Sequence, residues 1–389
     1  MGAGIGGLSA GIALRKAGWD VRVFERSTAL RELGFGVGLA PNAMAALAEL
    51  GVADHVLARS FQPACGEVRR MDGTVLKRAA WPRGVFGGPF AVAMRPALYG
   101  ALLDAIGADT VTAGSEATGS TVREGRVTLS LADGTSAEGD LLLGADGVRS
   151  VIRRQLHPSE PLPRSSRIIS VRGAVDGAVD HLGDGDAIYY LGPGVESAFI
   201  RASATGIYWF LAVAEELIPQ EVRRHADTAT SAADAAATVL AHMAPRFDDT
   251  FRTISRATSE LRYDGVLVDR DPLPTWGTGV VTLIGDAAHP MLPHTGQGAA
   301  QAIVDAVTLG KLLADNRNVE RTLRAFEAER QPRTAALVRQ GRRTARIMRI
   351  SNPALRYARE LAFRAVPVKP LITFYVRINR RAGTAVTAG

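Results

Sequence analysis

The apolar run Val280-Val281-Thr282-Leu283-Ile284 leads straight into Gly285-Asp286-Ala287-Ala288-His289-Pro290 and, past Pro293, into Gly296-Gln297-Gly298-Ala299. A buried strand that ends in Gly-Asp and opens through glycines into an apolar helix gathers one carboxylate and several bare backbone amides at one point. Such a point suits a polyhydroxy, phosphate-bearing ligand. The plainer reading is a strand-to-helix turn in which Asp286 caps the helix and the glycines only bend the chain.

Two further segments share this design. The amino terminus carries GxGxxG at Gly2, Gly4 and Gly7 and continues as an Ala/Leu-rich helix. In a dinucleotide-binding unit the first glycine makes a tight turn, the second admits a pyrophosphate and the third lets helix and strand pack closely. Asp20-Val21-Arg22-Val23-Phe24-Glu25 then reads as a strand ending on a carboxylate, with Arg26 next to it. Glu25 stands near the spacing at which an acid accepts hydrogen bonds from a ribose. The third segment, Asp140 to Ser150, is an apolar strand closing on Gly144-Ala145-Asp146-Gly147, followed by the helix-like Val151 to Leu156.

One link is missing from the first unit. GxGxxG normally follows a complete apolar strand, whereas here only Met1 precedes Gly2. Without that strand the neighbouring strands are expected to expose unpaired backbone groups. Two expectations follow: a start lying upstream, which the intact remainder of the unit favours, or weak cofactor binding.

In this order, Gly2-x-Gly4-x-x-Gly7, Glu25, Asp146-Gly147 and Gly285-Asp286 resemble the single-component flavoprotein aromatic hydroxylases. This is the para-hydroxybenzoate hydroxylase family, in particular its salicylate-hydroxylase-like and zeaxanthin-epoxidase-like members. The resemblance runs from residue 2 to about residue 350. It implies an α/β fold: a Rossmann-like FAD domain, an inserted and mostly antiparallel β-sheet substrate domain, and a C-terminal helical region. The implied division is residues 1–66, 90–165 and 275–335 for FAD, 67–89 and 166–274 for substrate, and 336–389 for the helical region.

By the same resemblance Gly2, Gly4 and Gly7 hold the FAD pyrophosphate, Glu25 and Arg26 the adenosine ribose, and Gly285 and Asp286 the ribityl chain. Asp146 and Gly147 serve FAD and the nicotinamide cofactor, and Arg95, before a helix, reaches FAD. The loop containing Pro293, Gly296, Gln297, Gly298 and Ala299 lies against the flavin, with amides of Gly296, Gln297 and Gly298 toward the pyrimidine edge. Arg31 to Leu39, with alternating glycines, passes the flavin; glycines there allow close approach by another group. The chain departs from the commoner pattern at His294-Thr295, Gln301 and Val304. His294 is either a substrate contact or proton relay, or a solvated loop histidine. No residue is named as the catalytic acid or base.

The implied chemistry is reduction of FAD by NAD(P)H, addition of O2 to form a flavin hydroperoxide, and passage of one oxygen to an electron-rich aromatic or polyketide-like small molecule. The alternatives are an epoxidase or reductase on the same scaffold, or an FAD-deficient member acting as a partner protein or cyclase. The few lysines, Lys16, Lys77, Lys311 and Lys369, sit in no halogenase-like setting.

Composition narrows the classes further. With 389 residues and 47% hydrophobic content the chain can bury a large core in two or three subdomains. No secretory signal and no apolar run of membrane-spanning length is visible. The single cysteine, Cys65, suits a reducing cytoplasm. The net charge of +7 comes from dispersed arginines without a recognition motif, which argues against nucleic acid. Arg339, Arg342, Arg343, Arg346 and Arg349 share much of one helical face before Asn352-Pro353 breaks the helix. Such a basic face is solvated, packs on the protein, or makes weak peripheral contact with an anionic membrane. A monomer and a homodimer both remain open.

In the middle of the chain Ile168–Val171, Ala187–Tyr190 and Ile207–Val213 read as strands, and 219–243 as helical. Tyr189, Tyr190, Tyr208, Trp209 and Phe210 could wall an apolar pocket or simply fill a core.

Overall fold

The computed structural model describes residues 1–30, 34–81, 84–314 and 318–367. Of the segment expected to pass the flavin, Arg31 to Leu33 therefore lie outside the described residues, as does the chain after residue 367. The architecture is mixed α/β, with a helix-covered parallel part, a large sheet and a helical carboxyl end.

The opening glycine turn leads into the helix Ile5–Lys16, whose last turn carries Arg15 and Lys16 where the helix dipole favours cations. It is buried on nearly all sides and lies against the helix Gly298–Ala314. Their approach is close enough that a Cβ on Gly310 would come 2.9 Å from the Ala13 side chain. The two glycine-rich segments at opposite ends of the sequence thus meet through their helices.

Parallel strands beneath these helices form two separate pairs, Val23–Phe24 with Val111–Thr112 and Leu142–Gly144 with Val281–Leu283. Met1 bridges the gap between them. Its amino group donates to Leu143 O (2.8 Å), its carbonyl accepts from Ala145 N (2.9 Å), and Gly2 N donates to Phe24 O (2.8 Å). Behind Met1 a cavity of about 330 Å³ runs between Val21–Phe24 and Leu141–Leu143. Met1 and Gly2 thus satisfy backbone groups at the end of each neighbouring strand pair. Burial lowers the basicity of the Met1 amino group, against the pull of Asp146 and Glu25.

The second layer is a seven-stranded sheet, in the order Glu260–Asp269, Arg164–Asp176, Gly206–Ala214, Val195–Arg201, Ala187–Gly192, Cys65–Arg70, Val75–Ala80. Every neighbour is antiparallel except the pair Ala187–Gly192 with Cys65–Arg70. Alternation splits the expected aromatic wall into two faces. Tyr190 and Trp209 point into a core with Phe199, Phe247 and Phe251, covered by the helices Ala232–Met243 and Asp249–Ala257. Tyr189, Tyr208 and Phe210 belong to the opposite face, with ring centroids 6.3 Å (Tyr189–Phe210) and 6.4 Å (Tyr208–Phe210) apart.

The carboxyl end is the 30-residue helix Val319–Met348, followed by Pro353–Ala365, whose first amides are capped by Asn352. The arginine face is divided. Arg339, Arg343 and Arg346 are exposed. Arg342 pairs with Asp269 (2.7 Å) and Asp271 (2.6 Å), and Arg349 with Glu216 (3.0 Å). Part of the positive charge thus pins the helix to the sheet's edge strand and to the turn after Ala214. Among the described residues no helix is long and apolar enough to cross a membrane, and no cluster of metal ligands occurs.

Candidate functional site

Gly2 adopts φ +90°, and a Cβ there would fall 2.5 Å from Ala145 O; a Cβ on Gly7 would fall 1.8 Å from Gly2 O. Only glycine permits both the turn and its seat on the Ala145–Asp146 backbone. Gly4 has nothing within 4 Å of the position a side chain would take, so it borders open space at the amino end of the Ile5–Lys16 helix. A cradle of this shape, with free helix amides and room at the second glycine, fits a pyrophosphate.

Glu25 is half-buried at the end of its strand, and its carboxylate accepts from Ala3 N (2.7 Å) and Ser27 N (2.9 Å). It therefore braces the glycine turn, and each oxygen keeps a second lone pair for a hydroxyl. Arg26 beside it is exposed. Asp146 accepts from Val151 N through Oδ2 (2.7 Å), while its Oδ1 is buried without a partner. Gly147 adopts φ +77° beside open space.

The strand Val281–Leu283 delivers Gly285-Asp286 to the same cleft. Asp286 reaches solvent inside the cleft while protein surrounds it, and this setting raises its carboxyl pKa against the pull of His289 and Arg95. A side chain built on Gly298 would come within 4.0 Å of Asp286 Oδ1, so the two halves of the motif face each other. Pro293–Thr295 forms a single 3-10 turn closed by Gly296 at φ +62°. Of the three amides expected to face a flavin, that of Gly296 donates to Pro293 O (2.8 Å). Gln297 and Gly298 stand at the start of the next helix, where amides lack intrahelical acceptors. Ala299 is half-buried in that first turn.

Several groups that hold this loop left no local signal in the sequence. Asp305 Oδ2 accepts from Gly285 N (3.0 Å) and His289 Nε2 (2.6 Å), and Oδ1 from Arg330 Nε (2.7 Å). Burial alone would raise the Asp305 pKa, but His289 and Arg330 hold it below the usual range. Arg330 also reaches Gln301 Oε1 (2.5 Å), and Gln301 and Asn42 both donate to Gln297 Oε1 at 3.0 Å. Gln297 Nε2 and Asn42 Oδ1 are buried without partners. From the other side Arg153, fully buried, donates to Ala287 O and Ala288 O (2.9 Å each) and pairs with Glu160. These contacts fix where Asp286 and the loop amides stand.

Arg95 starts the helix Arg95–Ile106 under the strand Gly36–Leu39, and a Cβ on Gly34 would come 2.8 Å from its Cδ. Its charge is felt by both Asp286 and Tyr208. The group that approaches the glycine-rich strand is Tyr208: a Cβ on Gly36 would sit 2.3 Å from its ring. Burial pushes the Tyr208 hydroxyl up to about 12. On the neighbouring strands Arg172 is bidentate to Asp264 at 2.6 Å. His294 is not solvated. Its side chain is 1% exposed, with Nε2 3.1 Å from Glu196 Oε1.

Residues 1–341 match the model of the FAD binding domain family. The chain belongs to the FAD-dependent aromatic hydroxylases. It is 34% identical over 354 residues to 3-amino-4-hydroxybenzoate 2-monooxygenase of Streptomyces cremeus, covering 89% of this chain and 86% of that one. With aurachin C monooxygenase/isomerase of Stigmatella aurantiaca it shares 32% identity over 365 residues, 93% and 92% of the two chains. The structure of Klebsiella pneumoniae HpxO complexed with FAD and uric acid superposes with a TM-score of 0.88 at 25% identity, covering 98% and 95%. This hydroxylase is accordingly an FAD-dependent monooxygenase, and the open cradle at Gly4, the Asp286 carboxylate and the buried orphan atoms of Asp146 and Gln297 fit FAD.

Proposed function

We propose that this hydroxylase uses NAD(P)H and O2 to insert one oxygen atom into an electron-rich aromatic small molecule carrying a ring hydroxyl or N–H. Bound FAD supplies the redox chemistry, taking electrons from NAD(P)H and activating O2. The protein supplies position and charge. Gly2, Gly4 and Gly7 hold the pyrophosphate, Glu25 and Arg26 the adenosine ribose, Asp146 and Gly147 both cofactors, and Gly285 and Asp286 the ribityl chain. Arg95 reaches FAD from the side. Pro293, Gly296, Gln297, Gly298 and Ala299 line the flavin ring, where the Gln297 and Gly298 amides stabilise negative charge on its reduced form. In this reading the parallel part is a Rossmann-like domain and the seven-stranded sheet an inserted substrate domain.

The observation that carries the reading is convergence. Three strand-end turns far apart in sequence meet at one cleft, Gly2 on Ala145–Asp146 and Gly298 against Asp286, with the Tyr208–Phe210–Tyr189 face over it. That face offers aromatic rings against which a flat ring can pack, beside the Arg172–Asp264 pair. The aminohydroxybenzoate on which one relative acts and the uric acid bound by HpxO are flat and electron-rich.

The test is direct. Purified protein is expected to carry a flavin spectrum and to oxidise NAD(P)H in air faster when a substrate-class phenol is added. Protein that stays colourless with added FAD would remove the reading and favour the FAD-deficient alternative.

A further inference from the structure

The last helix inverts the usual order of a surface helix, which buries its apolar side. In Pro353–Ala365 the side against the protein carries the charge, with Arg359 and Glu360 buried and Arg356 half-buried. Arg359 donates to the carbonyls of Ile347, Met348 and Gly192, and Glu360 accepts from Arg70 (2.5 Å). Lys77 donates to the carbonyls of Phe363 and Val366. The side away from the protein is apolar. Leu355, Tyr357 and Leu361 are 58%, 65% and 53% exposed, and the exposed Ala354, Ala358, Ala362 and Ala365 stand among them at helical spacing. One exposed leucine is ordinary. A whole outer face of apolar residues above a layer of buried charge marks a contact surface.

The surroundings fix the sign of the partner. Just before this helix, Arg339, Arg343, Arg346 and Ile347 share an exposed stripe of Val319–Met348, and Arg364 is exposed at the margin of the apolar face. Among the described residues these four arginines have no carboxylate partner, whereas Arg342 and Arg349 on the same stretch do. From residue 331 to 389 the sequence holds thirteen lysines and arginines against one acid, Glu360. A second copy of this face would set arginine against arginine, which opposes self-pairing. A nucleic acid would take the arginines through its phosphates but leave Leu355 and Leu361 without a partner. An anionic lipid surface takes both, the leucines at the headgroup boundary, the tyrosine in the interfacial layer and the guanidinium groups on phosphates.

We propose that the outer face of Pro353–Ala365, with Arg343, Arg346 and Arg364, docks this enzyme on an anionic phospholipid bilayer. The contact is with the surface, since among the described residues no helix is long and apolar enough to cross. Arg70 and Lys77 hold the inner side of the helix on the strands Cys65–Arg70 and Val75–Ala80. Docking therefore brings that edge of the seven-stranded sheet to the lipid. The inference is independent of the reaction the enzyme performs.

The test floats the full FAD-loaded chain with vesicles of phosphatidylcholine alone or mixed equally with phosphatidylglycerol. Binding to the mixed vesicles is expected to exceed binding to the neutral ones by about tenfold or more and to fall as salt rises. Leu355→Gln with Leu361→Gln, and Arg343→Gln with Arg346→Gln, should each weaken it by about tenfold or more. All four positions are exposed, so melting temperature and NAD(P)H oxidation in solution should stay as in the wild type. Arg343→Lys with Arg346→Lys keeps the charge and should keep the binding. The proposal is overturned if mixed vesicles bind no better than neutral ones, or if binding survives both Gln double variants. Binding that survives them but is lost when the chain is cut after Pro367 would move the contact to the tail and overturn it as well. So would single-stranded DNA held more tightly than the mixed vesicles, or a dimer that the leucine double variant dissociates in protein that binds no vesicle.

Discussion

The seven-stranded sheet and the parallel strand pairs of this enzyme are joined in different ways. The seven-stranded sheet is continuous, and its inner face packs Tyr190, Phe199, Trp209 and Phe251 with essentially no exposure. The parallel part is split into two pairs joined through Met1, with a cavity of about 330 Å³ between them. Packing at crystal density is what makes a core costly to alter. The seven-stranded sheet thus packs a continuous aromatic core, while the parallel part packs its helices around Leu8, Leu47, Leu98 and Leu283 but leaves a gap between its two strand pairs. The contrast can be broken or sharpened by experiment.

The largest effect is expected at the glycine turn. In Gly7→Val a side chain collides with Gly2 O, 1.8 Å from the Cβ position, and neither backbone can yield. Soluble protein should be lost or colourless, as for other severe backbone clashes. Gly4→Ala meets nothing within 4 Å, so its melting temperature should match the wild type while FAD affinity falls. Equal damage from both would mean that the Gly4 space is not the pyrophosphate cradle.

Next come paired truncations. Trp209→Ala empties a fully buried site and removes the hydrogen bond to Thr258 Oγ1 (2.8 Å). A loss of about 3–5 kcal/mol is expected by chemical denaturation. Val21→Ala, beside the cavity, should cost about 1 kcal/mol or less, because its neighbours already lack partner atoms on one side. Similar costs at the two positions would remove the contrast.

How far these features were legible depends on their range. The turns at Gly2–Gly7, Asp146-Gly147 and Gly285-Asp286 could be read because each is local, a strand end and a glycine within a few residues. The alternation of Tyr189 and Tyr190, or of Tyr208 and Trp209, was also visible, but period two cannot say which face meets helices and which meets the cofactor side. Asp305 with Arg330 and Glu196 with His294 pair across 25 and 98 residues of sequence. No spacing rule reaches that far. His294 looked like a solvated loop residue as readily as a functional one, since only the third dimension supplies its carboxylate.

The slot makes a third, gentler test. Fusing a short apolar strand ahead of Met1 should let it pair between Val21–Phe24 and Leu141–Leu143, and it turns the buried Met1 amino group into an amide. Covering the apolar residues of its lining, among them Leu14, Val23 and Leu143, should add about 2 kcal/mol, seen as a rise of several degrees in melting temperature. A Gly/Ser extension of equal length should add nothing. If both extensions behave alike, the cavity does not accept a strand.

The smallest effect concerns two carboxylates one turn apart in role. The Asp305 pKa is held low by His289 and Arg330, so its stabilisation is present above the ordinary aspartate value and is lost as pH falls through its folded value. Asp286 runs the other way. Its pKa is raised by its enclosed setting, so its contribution is full below the ordinary value and is lost as pH rises through the folded one. Asp286→Asn should therefore raise the melting temperature of FAD-free protein at pH 7, with the gain vanishing in acid, and at the same time weaken FAD binding because a charged acceptor for ribityl hydroxyls is gone. Thermal melts from pH 4 to 8 with a flavin titration would read both halves. A variant that is less stable at pH 7, or that binds FAD as tightly, would show that the strain at Asp286 is not held for the cofactor.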